Sequence, residues 1–192
     1  IAGGDQLDLD IRLEAGAKVL LTTPGASKWY HGERAGARQS MVLKLAADAC
    51  LEWLPQEAIL FDGADASQEM HIDLDPSATL FSWDIVQLGR IAAAEQWLRG
   101  RWRQRLLLRR DDRERWREAA DLAANDPLRD SPLGLAGYPV MATAWAAAEP
   151  SAHVSRDAFE RIATMIVDGI RDARPDAVYL DHAALMESFG WR

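Results

Sequence analysis

One cysteine in 192 residues, Cys50, excludes a disulfide within the chain. It sits in an alternating apolar segment, which predicts a buried small hydrophobe rather than a reactive thiol. No apolar run approaches the roughly 18 residues that a membrane-spanning helix needs. Acidic residues outnumber basic ones 30 to 22, for a net charge of −8, so membrane insertion and nucleic-acid binding are both disfavoured. A Gly-rich phosphate loop, Cys-x-x-Cys, His-x-x-x-His and Gly-x-Ser-x-Gly are all missing, which removes the common nucleotide, zinc and serine-hydrolase signatures. The histidines, His31, His71, His153 and His182, are scattered, and the alternation of His71 with Met70 and Ile72 predicts a solvent-facing position. No signal or transit segment is expected at the amino end.

What is present is alternation. Leu7, Leu9, Ile11 and Leu13 fall on one face of an extended segment and Asp8, Asp10, Arg12 and Glu14 on the other, a period of two. The same plan recurs in Met41 to Leu54, Met70 to Val86 and Gln104 to Leu122. Short turns interrupt these segments at Ala15-Gly16, Ala47-Asp48, Pro76-Ser77 and Asp111-Asp112. These turns recur at intervals of 32, 29 and 35 residues, which predicts stacked antiparallel hairpins, each burying its apolar face on the next. Ile91 to Leu98 and Asp111 to Ala124 have helical propensity but are read as turn or strand. Asp126 to Pro139, with its prolines and glycines, reads as a structured loop, and Pro139 to Trp145 as one more strand. The basic island Arg99 to Arg113 is offset by Asp111, Asp112, Glu114, Glu118 and Asp121, which predicts a solvated, ion-paired hairpin face. A core of useful size is available at this length.

The stretch Leu51-Glu52-Trp53-Leu54-Pro55-Gln56-Glu57, running on to Asp62, closely resembles a signature of the UreD (UreH) urease accessory family. Ala2-Gly3-Gly4-Asp5-Gln6-Leu7, Leu21-Thr22-Thr23, Lys28-Trp29-Tyr30, Leu88-Gly89-Arg90 and Ser131 to Gly137 follow in the family's order. The resemblance covers about residues 1 to 145. Ile1 falls inside the family's Gly-rich amino-terminal region, so the chain reads as truncated at its amino end. The resemblance implies a mainly β fold of stacked strands with an open, β-helix-like architecture. It also implies a non-enzymatic, cytoplasmic scaffold that joins UreF-like and UreG-like partners and docks on urease apoprotein. Any GTP hydrolysis would belong to the partner. No cofactor is expected to be tightly bound; nickel is expected in transit through a water-filled interior. By the same resemblance Asp5, Asp8, Asp10, Asp84 and Glu118 contribute polar groups to that passage. Oxygen ligands suit an ion that must be released.

The expected domains are a β body over residues 1–148 and a divergent tail over 149–192. In the tail, Ser155 is a suitable N-cap, and Phe159, Ile162, Ala163, Ile166, Val167 and Ile170 form the stripe of an amphipathic helix. Ala177 to Leu180 then reads as a short strand. Residues 155–186 resemble a segment of the microcystinase-type zinc metallopeptidases, which makes a metal-dependent hydrolase fragment the alternative function. Against it, Asp181 and His182 are adjacent here where that family separates them by one residue. Adjacent residues on a strand point to opposite sides and cannot share a metal.

Overall fold

The structure, a computed structural model, describes residues 1–33 and 35–148. Ile1–Glu149 forms one compact unit. The predicted tail helix and strand, and His153 and His182, lie outside the described residues. The strands are β1 (Gln6–Leu13), β2 (Lys18–Leu21), β3 (Ser27–Trp29), β4 (Ala37–Leu45), β5 (Cys50–Trp53), β6 (Ala58–Leu60), β7 (Asp65–Leu74), β8 (Thr79–Leu88), β9 (Arg101–Arg110), β10 (Arg113–Ala123) and β11 (Val140–Ala147).

Pairing departs from the predicted hairpins. One sheet has the order β1-β4-β7-β9-β10, and its first four strands are parallel to one another. In the other sheet β2 and β3 pair with β5 and β6, which pair side by side with β8, all parallel, while β11 joins β8 antiparallel. The chain therefore coils as a β-solenoid instead of folding back on itself. Gln6 pairs with Arg38 and Ala37 with Ala66, offsets of 32 and 29 residues, so the period read from the sequence is the length of a coil.

Turn geometry explains the difference. Asp111 and Asp112 both have positive φ, 53° and 54°, as a tight hairpin requires, and here alone among the four turns the flanking strands, β9 and β10, pair with each other. The earlier turns hold at most one left-handed residue, Gly16 at φ 72° in the first and Asp48 at 58° in the second. They act as corners that carry the chain from one sheet to the other. Successive corners stack through backbone bonds, Ala46 N to Leu13 O at 3.0 Å and Asp75 N to Leu45 O at 2.9 Å.

The inward residues form two apolar clusters. One gathers Leu13, Met41, Leu43, Leu45, Leu51, Trp53, Ile72, Leu74, Leu80, Leu106 and Leu108 near the corners. The other, toward the opposite end of the long strands, holds the fully buried Trp29 and Trp97 together with Trp102, Leu60, Val86, Leu88 and Leu122. Each large side chain so buried contributes roughly 1.5–3 kcal/mol.

Trp97 is placed by an irregular connection. Ile91–Ala93 makes a 3-10 turn closed by Ala94 at φ 53°, so this segment is turn rather than helix. Gly100 at φ 117° then returns the chain to β9, and a Cβ there would stand 2.1 Å from the Ala64 carbonyl oxygen. Cys50 is half-buried rather than buried, because β5 turns Leu51 and Trp53 inward.

Candidate functional site

Between the two apolar clusters the inward rows change character. In β4 the inward series Ala37, Met41, Leu43, Leu45 is broken by Gln39, and in β7 the series Ala66, Met70, Ile72, Leu74 is broken by Gln68. In β9 Gln104 breaks Trp102, Leu106, Leu108. The register sets the three glutamines side by side, Gln39 against Gln68 and Gln68 against Gln104. On the facing sheet Ser82 and Asp84 interrupt Leu80, Val86 and Leu88 of β8, with Thr143 of β11 opposite Asp84. A polar seam thus crosses the core perpendicular to the strands.

The seam is hydrogen-bonded in two stretches. Trp102 Nε1 donates to Gln68 Oε1 at 3.0 Å, and Gln68 Nε2 reaches Gln39 Oε1 at 3.4 Å. The Gln104 side-chain amide donates to Asp84 Oδ2, joining the two sheets. Ser82 is fully buried, and its Oγ and the Nε1 of Trp145, its register partner, have no hydrogen-bond partner among the described residues. Burial raises the Asp84 carboxyl above the usual carboxylate range. The Gln104 amide and the Ile85 backbone N–H oppose that rise, and the negative charge of Glu118 adds to it. Such a group is costly in an apolar interior unless it meets water, a cation or a donor.

Of the acidic residues named from the sequence, Asp84 and Glu118 are brought into electrostatic reach of each other from opposite sheets. The other three stand apart from them. Asp5 is exposed before β1 and accepts from Ala2 N at 2.7 Å. Asp8 and Asp10 are exposed on the outer side of β1, whose Leu9 and Ile11 pack on the core. The Arg12 guanidinium at 2.7 Å holds the Asp10 carboxyl below its ordinary range. Among the described residues no group of three or more His, Cys, Asp or Glu could hold a metal ion.

The glutamines and Trp102 escaped the sequence reading. The signal for them was there, since each glutamine breaks an apolar alternation at the same point of its coil.

The histidines and the basic island are accounted for elsewhere. His71 is exposed on β7, and His31 Nδ1 lies 2.9 Å from Gly63 O. Arg101 pairs with Asp121 at 2.6 Å, Arg103 with Asp65, and Arg117 with Glu114 at 2.6 Å, an ion-paired outer face as the offsetting charges imply. Among the described residues no helix is long and apolar enough to cross a membrane.

Fold and seam together define a β-solenoid whose apolar interior is crossed by a polar seam. A model of the UreD urease accessory protein family matches residues 1–186. A urease accessory protein UreD from Pseudomonas aeruginosa is 49% identical over 149 residues, covering 78% of this chain and 53% of the relative. Another from Methylobacillus flagellatus is 46% identical over 140 residues, 73% of this chain and 49% of the relative. A third, from Nitrosococcus oceani, is 45% identical over 149 residues, 78% of this chain and 50% of the relative. The chain belongs to the UreD urease accessory protein family. It spans about half the length of these relatives. The family match passes the point near residue 145 where the motif resemblance ended, so the tail segment compared with zinc metallopeptidases falls inside it.

Proposed function

We propose that the chain acts as a non-enzymatic, cytoplasmic scaffold of urease maturation, in which nickel passes along the polar seam between the two sheets on its way to urease apoprotein. In this reading a helical UreF-like protein and a nickel-carrying, GTP-hydrolysing UreG-like protein assemble with the chain. The nickel is cargo. The observation that carries the reading is Asp84, a carboxylate set between the sheets, held by Gln104 and facing Glu118. Two carboxylates and a row of amide oxygens offer a hydrated divalent ion hard, exchangeable ligands. Among the described residues no three strong donors meet in one place, and such a set favours passage over storage.

The test is urease activation in cells that express the urease subunits and the other accessory proteins, with this chain as the only UreD. Asp84→Ala is expected to leave recovery of the accessory complex unchanged and to lower urease activity when nickel is limiting, with recovery at excess nickel. Full activation at limiting nickel with unchanged complex yield would reduce Asp84 to a structural hydrogen-bond acceptor.

A further inference from the structure

Of the three glutamines in the seam, Gln39 and Gln68 are engaged within their own sheet. Gln68 Oε1 accepts from Trp102 Nε1 at 3.0 Å and its Nε2 reaches Gln39 Oε1 at 3.4 Å, so both ends of that amide are taken by neighbouring strands. Gln104 differs. Its amide crosses to the facing sheet and donates to Asp84 Oδ2, and among the described residues it is the one side chain that donates to that carboxylate. Small residues flank the pair. On the inward row Gln104 lies opposite Ala120 of β10, between the bulkier Leu106–Glu118 and Trp102–Leu122 pairs, and Asp84 lies opposite Thr143 of β11.

We propose that Gln104 is the positioning residue that sets how long Asp84 holds an ion: by engaging Oδ2 it leaves nickel a one-oxygen contact through Oδ1. This assignment rests on the nickel role proposed above and names the residue that makes the ion leave. A free carboxylate can close both oxygens on a divalent cation, whereas one whose Oδ2 carries a donor meets the cation through its other oxygen. The donated N–H also draws negative charge off the carboxylate, as hydrogen-bond partners of metal ligands tune the ligands they hold. Both effects shorten the stay of the ion. An amide suits the task better than a cationic donor, because a lysine or arginine beside Asp84 would repel the incoming ion. Glutamine supplies the donor without the charge.

The test is the rate at which nickel leaves the full chain, read by stopped-flow mixing of the nickel-loaded chain with an excess of a chelating dye. The phase that belongs to the seam is the one missing from Asp84→Ala. Changes in affinity fall mostly on the dissociation rate, and Gln104→Leu, of similar bulk and without a donor, is expected to slow that phase at least about threefold. Gln104→Met, which keeps the length of the side chain and also lacks a donor, is expected to do the same and serves where the leucine variant fails to fold. Gln68→Leu makes the same exchange one strand away and is expected not to slow release. In Asp84→Ala/Gln104→Leu the phase stays missing, because Gln104 acts through Asp84. A wild-type chain with no Asp84-dependent phase overturns the nickel role and this assignment with it. An Asp84-dependent phase that Gln104→Leu and Gln104→Met leave unchanged or quicken overturns the assignment alone. So does equal slowing by Gln68→Leu, or a slow phase that persists in the double variant.

Discussion

Replacing Asp62 removes the clasp that seats Trp97 in the core. Its Oδ1 accepts from Leu98 N at 2.8 Å and Arg99 N at 2.7 Å, and its Oδ2 takes Arg99 Nε at 3.0 Å and Nη2 at 2.8 Å. The Asp62 side chain is 19% exposed, while its two bonds to backbone N–H groups lie at the protein surface. Hydrogen bonds to a charged group contribute about 1.5–3 kcal/mol each, less where the released donors can reach solvent. The Arg99 side chain is 76% exposed, and its ion pair is discounted to under about 1 kcal/mol. Asp62→Ala is therefore expected to cost about 1–3 kcal/mol. Asp62→Asn, which keeps one acceptor for both N–H groups, should cost about 1–2 kcal/mol.

The pH dependence follows from the same contacts. Burial would raise the Asp62 carboxyl, but the Arg99 guanidinium and the N–H groups of Arg99 and Leu98 outweigh it and hold the carboxyl below its ordinary range. A lowered carboxyl stabilises the fold fully above its unfolded value near about 3.9. That contribution is lost as pH falls through the lower folded value. Urea denaturation at pH 7 and at pH 3 checks both points. Equal stability of wild type and Asp62→Ala at pH 7, or a gap between wild type and Asp62→Asn that widens on acidification, refutes the reasoning.

Asp84 has the opposite sign. A raised carboxyl makes the folded state bind the proton more tightly, so its contribution falls as pH rises from the unfolded value through the folded one. Asp84→Asn is expected to melt above wild type at pH 7–8, with the gap closing in acid; one pKa unit corresponds to about 1.4 kcal/mol. Gly100→Ala forces a Cβ into the Ala64 carbonyl at a φ of 117°, and thermal melting should show a loss of at least about 2 kcal/mol. Trp102→Phe removes the donor to Gln68 while keeping most of the apolar bulk; denaturation should register about 1–2 kcal/mol.

Much of the solenoid can be read from the chain. Alternation in Leu7 to Leu13 gives a strand with one side turned to the core, and the spacing of the turns gives the coil length, since Gln6 pairs with Arg38 and Ala37 with Ala66. What alternation leaves open is which strand supplies the hydrogen bonds. A period of two is the same for a hairpin and for a coil, and only the corners distinguish them. The Asp111-Asp112 pair at positive φ makes a hairpin, whereas Ala15-Gly16, with one left-handed residue, turns the chain toward the facing sheet. For the candidate site, the acidic character of Ser82-Trp83-Asp84-Ile85 was a usable signal, because a carboxylate on an inward row stands out. The glutamine row needed the inter-coil register before Gln39, Gln68 and Gln104 could be seen as neighbours. Asp8 and Asp10 lie on the outer side of β1, as their alternation with Leu9 and Ile11 already implied.

The seam itself is tested most directly by following the side-chain amide resonances of the chain as Ni²⁺ is added. Six-coordinate Ni²⁺ held by oxygen ligands is paramagnetic and broadens nearby nuclei. If the ion enters the seam, the side-chain amides of Gln104, Gln68 and Gln39 broaden at low nickel in the wild-type chain and stay sharp in Asp84→Ala. Side-chain amides of Gln39, Gln68 and Gln104 that stay sharp in the wild-type chain as Ni²⁺ is added would contradict a nickel path through the interior.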